Sequence, residues 1–284
     1  MANDPLGRAG PLDRLAKLRH FLRRPGIRLR ELDHSVRHDI SGARDMLSYL
    51  RHLARGNRIQ RRKFFDNIDE NHPPVLLLHG YLGTRGSMYT LERRLNDDGI
   101  CVFSFNLGAL NVRDVRKSAF LIHRKIEAIL AQTSVKQIDI IGHSMGGLIG
   151  HYYAKKLGGH ERVRKLIMLG APLKGTWVAL AGIATVGLLW PSAWQLLPGS
   201  SFLRELNEGP NPRDVQYYTI VADRDWICPP ASSTLEEASH MSVPLGHSSL
   251  VLSEEVYRHV LWALRQKVKN GHNAEPGSNG SSTP

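Results

Sequence analysis

Three side chains in this sequence have the types and the chain order for nucleophilic chemistry: Ser144, Asp225 and His247. Ser144 lies in Gly142-His143-Ser144-Met145-Gly146-Gly147, after the apolar run Ile138-Asp139-Ile140-Ile141 and before Leu148, Ile149, Tyr152 and Tyr153 at helical spacing. That pattern reads as a buried strand turning sharply into a helix with the serine at the turn. Gly142 and Gly146 are required sterically, because a Cβ at either place would collide with the neighbouring strand or helix. Ser144 itself must take a strained backbone conformation that lifts its hydroxyl clear of the sheet edge. A helix beginning at Met145 aims its free N–H groups and positive dipole end at that hydroxyl.

A serine hydroxyl is a poor nucleophile at neutral pH, so it needs a base, a group to orient the base, and donors for the developing oxyanion. His247, in Gly246-His247-Ser248-Ser249 ahead of an amphipathic closing helix from Val251 to Val268, is the expected base. Fourteen histidines make a Gly-His pair uninformative by itself, so position along the chain carries the assignment. His240 is the rival base, whereas His143 is read as pocket-lining and His151 and His160 as structural or surface groups. Asp225 is preferred to Asp223 as the orienting acid because it stands in the loop beyond a strand, ahead of Cys228-Pro229. Asp114 and Asp139 precede Ser144 and read as ordinary surface or strand-edge carboxylates. Upstream, Val75-Leu76-Leu77-Leu78-His79-Gly80-Tyr81-Leu82-Gly83 is a strand ending in His-Gly-x-x-Gly. Its glycines would let the Tyr81 N–H face the same point as the Met145 N–H, and each such donor is worth about 10²–10³ in rate.

With these motifs in order, the chain resembles an α/β-hydrolase, and within that fold the bacterial lipase and esterase group. The matching pieces are His79-Gly80-Tyr81-Leu82-Gly83, Gly142-His143-Ser144-Met145-Gly146-Gly147, Asp225-Trp226-Ile227-Cys228-Pro229 and Gly246-His247, spanning residues 74 to about 268. The resemblance implies a serine carboxylic-ester hydrolase with Ser144, Asp225 and His247 as triad and the N–H groups of Tyr81 and Met145 as oxyanion hole. It implies no cofactor. Some members of the group hold calcium through an aspartate two residues after the catalytic histidine; Ser249 stands there, so no metal is expected. Thioester hydrolysis or acyl transfer by the same triad is an alternative. A non-catalytic membrane-surface or nucleic-acid binding protein on a vestigial hydrolase fold is another, since fold does not fix function.

The elements that must position these groups follow from periodicity. Apolar runs predict a mostly parallel sheet of about six strands: Val75 to Leu78, Ile100 to Phe105, Ile138 to Ile141, Val163 to Leu169, Val215 to Val221, and a short one at Met241 to Val243. Helices are expected at Tyr89 to Asp97, Val112 to Gln132 and Met145 to Leu157. Between residues 173 and 212 the sheet pattern breaks for too long to be a structureless connection, and the insertion reads as a helical cap. Its uncharged centre, Trp177 to Trp190, is too short to cross a bilayer, which takes about twenty residues. Set over the site, it implies an apolar ester or lipid substrate.

Charge is concentrated at one end. Residues 8 to 63 hold 16 Lys or Arg against 5 Asp or Glu, leaving 22 against 21 elsewhere. Within residues 1–70, Leu12, Leu15, Leu18 and Leu22 form one apolar stripe, and Leu32, Val36, Ile40, Ala43, Leu47, Leu50 and Ala54 another at spacings of three and four. Apolar stripes bordered by arginine suit an anionic membrane surface, or a helical pair packed on the hydrolase domain. No nucleic-acid reading motif accompanies the charge. The expected organisation is a basic helical extension over 1–70, the hydrolase domain over 71–268 with its cap at 173–212, and a Gly/Ser/Asn/Pro-rich disordered tail over 269–284. The N-terminus has no signal-peptide pattern, so the expected location is cytoplasmic with a peripheral membrane option. Cys101 and Cys228 form no disulfide framework, and oligomeric state leaves no mark in the sequence.

Overall fold

The computed structural model describes residues 44–54, 56, 68–180, 183 and 190–268. Two compact units divide the chain, Met1–Arg44 and Asp45–Pro284. The first lies, apart from Arg44, outside the described residues, as do residues 57–67 and most of the expected cap centre.

In the second unit, six strands form one all-parallel sheet in the order β2-β1-β3-β4-β5-β6. They are β1 (Val75–Leu78), β2 (Val102–Ser104), β3 (Ile138–His143), β4 (Val163–Leu169), β5 (Gln216–Ala222) and β6 (Ser239–Val243). Strand side chains sort by the two-residue period into two cores. Leu76, Leu78, Ile138, Ile140, Leu166 and Met168 face one side, while Val75, Leu77, Ile141, Ile167, Leu169 and Ile220 face the other. Helices α3 (Val115–Leu130) and α4 (Met145–Lys156) cover the first side, through Val115, Ala119, Ile122 and Ile126 and through Leu148, Ile149 and Tyr153. Helices α2 (Tyr89–Asp97) and α7 (Glu254–Arg265) cover the second. Among the described residues, no helix is long and apolar enough to cross a membrane.

Several helices are shorter than the hydrophobic pattern predicts, because polar groups end them. Asp114 accepts from the N–H groups of Arg116 and Lys117 and starts α3 three residues after Val112. Ser253 caps α7 in the same way. At the other end of α7, the buried Lys165 ammonium donates to the carbonyls of Ala263, Leu264 and Gln266 at 3.0, 2.6 and 2.5 Å, in the place where the last carbonyls lack helical partners.

The second half of the insertion is packed rather than raised. Helix α5 (Pro191–Gln195) buries Ala193, and helix α6 (Ser201–Asn207) buries Phe202, Leu203 and Leu206 in the first core. Glu205 of α6 accepts from the Tyr152 hydroxyl at 2.6 Å and pairs with Arg116. Before them, Trp177 and Leu180 are exposed.

Residues 45–53 form a further helix, α1, in the same unit as the sheet. Its Leu53 carbonyl accepts from the Thr84 hydroxyl at 3.0 Å, and Tyr49 packs into the second core. Leu47, Leu50 and Ala54, the described part of the second apolar stripe, are exposed, Leu47 by 70% and Leu50 by 51%.

Candidate active site

The strand order reverses direction at β1, so the loops after β1 and β3 leave the sheet side by side at its carboxyl edge, where open parallel sheets place ligands. Gly80 follows β1 and Ser144 follows β3. A Cβ on Gly80 would stand 2.8 Å from that of Ser144.

Ser144 has φ 53° and ψ −127°, a conformation that costs of order 1–3 kcal/mol for a side-chain-bearing residue. The turn survives because its neighbours have no Cβ: one on Gly142 would lie 2.5 Å from the Gly146 carbonyl carbon, and one on Gly146 would lie 2.2 Å from the Leu78 carbonyl oxygen. The Ser144 N–H donates to Leu169 at 2.9 Å, and its carbonyl accepts from Gly147. From Ile138 to Ala154 every residue is buried except Ser144, so the strain exposes this one side chain.

Asp225 is 4% exposed, with Oδ1 accepting from the Ile227 and Cys228 N–H groups at 2.9 and 2.7 Å. Its Oδ2 stands 2.6 Å from His247 Nδ1. His247 opens a 3₁₀ turn, His247–Val251, rather than lying in a plain loop. Gly170, after β4, lies against the pair: a Cβ there would be 3.3 Å from both Asp225 Oδ2 and His247 Nδ1. The competing acid Asp223 is exposed and holds Ser242, while the competing base His240 is exposed on β6 and bonded to Thr219. Asp114 caps α3, and Asp139 pairs with Arg164 at 2.6 Å.

Two other imidazoles sit at the site and are kept neutral. His143 donates from Nε2 to the His247 carbonyl at 3.2 Å, with ring centroids 4.7 Å apart. Burial, with the neighbouring His247 imidazole second, holds its pKa well below the ordinary value. His79 uses Nδ1 on the Gly80 carbonyl at 3.2 Å, and burial lowers it to about 4. His151, read as structural, is buried behind the site and bonded to Asn211 at 2.8 Å.

Among the described residues, neither the Tyr81 nor the Met145 backbone N–H donates to a protein acceptor. The loop carrying Tyr81 is held by Asn111, whose amide donates to the His79 and Gly80 carbonyls at 2.9 and 3.3 Å. Nothing local in the sequence marks Asn111, which acts across a separation of about thirty residues. Cys228 is buried close behind Asp225; burial first, and then the Asp225 charge, push its pKa up, so its thiol stays protonated. Tyr49 was likewise not singled out, yet its ring packs edge-on to His143 at 6.3 Å.

The geometry supplies a partly exposed strained serine, a carboxylate-bound imidazole and free N–H groups at a helix start, parts suited to acyl transfer through serine.

Comparison with known proteins agrees with the fold. Residues 73–195 match the family described as alpha/beta hydrolase fold. A triacylglycerol lipase of Vibrio cholerae is 31% identical over 111 residues, 37% of this chain and 34% of that protein. A triacylglycerol lipase of Pseudomonas fragi is 28% identical over 94 residues, 31% of this chain and 31% of that protein. The chain thus spans about a third of the length of the curated relatives it matches. Among solved structures, a mature lipase of Bacillus licheniformis superposes with TM-score 0.59 at 14% identity over 70% of this chain and 94% of that one. Lipase B of Aspergillus fumigatus gives 0.62 at 19% identity over 74% and 56%. At such identities the likeness is one of fold.

Proposed function

We propose that this chain, with its α/β-hydrolase fold, is a serine carboxylic-ester hydrolase of the lipase or esterase kind, acting on an ester with an apolar acyl group. The observation that carries the reading is the buried Asp225–His247 contact of 2.6 Å beside a serine held at φ 53°. His247 Nε2 takes the Ser144 proton as Oγ attacks the ester carbonyl carbon. Asp225 accepts from Nδ1, which fixes the tautomer and stabilises the imidazolium. The carbonyl oxygen, now negative, is held by the Tyr81 and Met145 N–H groups. When the tetrahedral adduct collapses, the C–O bond to the alcohol breaks, and the alkoxide leaves with the proton from His247. Water, deprotonated by His247, then attacks the acyl-serine and releases the acid.

Names of the relatives support the reaction class, as both are triacylglycerol lipases. Exposed Trp177, Leu180 and Trp226 near the site support an apolar substrate. Attachment to an anionic membrane surface through residues 8–63 is proposed with it, and the exposed Leu47 and Leu50 are the described residues that support this.

The test exposes wild type and Ser144→Ala to a fluorophosphonate probe and to p-nitrophenyl esters of increasing chain length. Wild type is expected to label and turn over, and the variant to fold but lose about 10⁶ in kcat. Full turnover by Ser144→Ala would refute the mechanism.

A further inference from the structure

Outside the 8–63 segment the chain is almost charge-balanced, with 22 basic and 21 acidic residues, so a local excess of one sign is informative. Such an excess lies on α3. Lys117, Phe120, Leu121 and Arg124 recur at spacings of three and four on one helical face, with Arg113 just before the helix. They line a cleft of about 590 Å³ whose far wall is Trp190 and Pro191. That is within the size range of ligand sites, roughly 300–1,000 Å³. Arg113, Lys117 and Arg124 are exposed, and among the described residues none is ion-paired, whereas neighbouring Arg116 pairs with Glu205. Asp114, the one carboxylate at the cleft, is engaged by the N–H groups that start α3 and by the Gln195 amide at 2.8 Å. Phe120 sits among the cations with 57% of its surface exposed.

This cleft adjoins the candidate site through two routes. The Trp190 ring packs edge-on to Tyr81 at 6.2 Å. Val112, at the cleft edge, directly follows Asn111, which holds the Gly80 carbonyl beside Ser144. A molecule whose ester carbon lies at Ser144 can therefore extend toward α3.

Resting on the serine-hydrolase reading, we propose that the α3 cleft binds the anionic group of an amphiphilic ester, so that the preferred substrate carries a phosphate on its alcohol side. The guanidinium and ammonium groups take the phosphate oxygens, and Phe120, Leu121 and Trp190 take the adjoining carbon chain.

The test compares Arg113→Gln/Lys117→Gln/Arg124→Gln with wild type on three soluble substrates below their micelle concentrations: dihexanoyl phosphatidic acid, dihexanoylglycerol and p-nitrophenyl butyrate. The variant is expected to lose at least about tenfold in kcat/KM on the phosphatidic acid, through KM, and to stay within about twofold on the two neutral esters. Binding of dodecyl phosphate to Ser144→Ala, read by calorimetry, should weaken by a similar factor when the three substitutions are added. If dodecyl phosphate instead accelerates neutral-ester hydrolysis in wild type alone, the cleft still binds the anion, but from a lipid other than the substrate. Equal losses on all three esters, or unchanged dodecyl phosphate binding, would overturn the proposal. Failure of wild type to label with fluorophosphonate would overturn the hydrolase reading instead, leaving the calorimetric result to judge the cleft.

Discussion

At the turn after β3 the residues that shape Ser144 are mostly its own neighbours in sequence. Residues two positions to either side lack a Cβ, the preceding strand is buried, and the following helix starts with free N–H groups. In the loops after β5 and β6 the constraints come from elsewhere. Asp225 and His247 meet across 22 positions, Gly170 from β4 leaves room for them, and His143 from β3 holds the His247 carbonyl. Ser144 is positioned by backbone strain, and the Asp225–His247 pair by tertiary contacts. Different substitutions should therefore break each.

After the loss of Ser144 itself, the largest expected effect falls on the tertiary pair. Asp225→Asn keeps the shape but offers His247 an amide where it needs a carboxylate, and should cut kcat by about 10⁴. Asp223→Asn, two residues away on an exposed carboxylate bound to Ser242, should leave kcat within about twofold, since surface changes far from such features are nearly neutral. Steady-state kinetics on one p-nitrophenyl ester decides this, and equal losses in both variants would return the acid to an open question.

Next come two glycines that look alike in sequence. Gly146→Ala would place its Cβ 2.2 Å from a strand carbonyl, so the elbow must open; a loss of at least about 3 kcal/mol is expected. Gly246, just before His247, has nothing within 4 Å of its hypothetical Cβ and an ordinary φ of −98°, so Gly246→Ala should change stability by no more than about 0.5 kcal/mol. Urea unfolding of the two variants measures the contrast, and similar midpoints would mean that strain does not hold the elbow.

Locality also explains what was legible. The six strands, α2 and the elbow appear in the sequence close to where the structure has them, because each is coded by its own apolar period and glycines. Asp225 and His247 were reachable only through chain order and resemblance, since nothing near either residue records the other. Asn111 and Tyr49 left no signal at all, being side chains delivered from separate elements. Nor does the apolar stripe show how α1 docks: Leu47 and Leu50 are exposed, while Tyr49 packs into the second core and the Leu53 carbonyl takes the Thr84 hydroxyl. Tyr49→Ala should accordingly cost about 3 kcal/mol, and Leu47→Ala, on the exposed side, no more than about 0.5 kcal/mol. Equal costs in thermal or urea unfolding would show that α1 does not dock through Tyr49.

The smallest effect separates the histidines that flank the site from the one proposed to work in it. His79 and His151 have folded pKa values lowered to about 4, and His143 is held well below its usual value, each first by burial. In the unfolded chain all three take up protons near pH 6.5. The unfolded state therefore binds more protons than the folded one as pH falls, and stability that is intact above about pH 6.5 is lost on the way to about pH 4, by roughly 1 kcal/mol per pH unit for each group. His151 offers the clean measurement, because it is fully buried on α4 and hydrogen-bonds only Asn211 among the described residues. His151→Gln should make the fall in stability between pH 6 and pH 4.5 shallower by about one proton, with the slope taken from urea midpoints. An unchanged slope would mean that His151 is not held neutral by burial. A shallower slope, with kcat at pH 7 unchanged, would keep His151 out of the proposed chemistry and leave it a buried structural group.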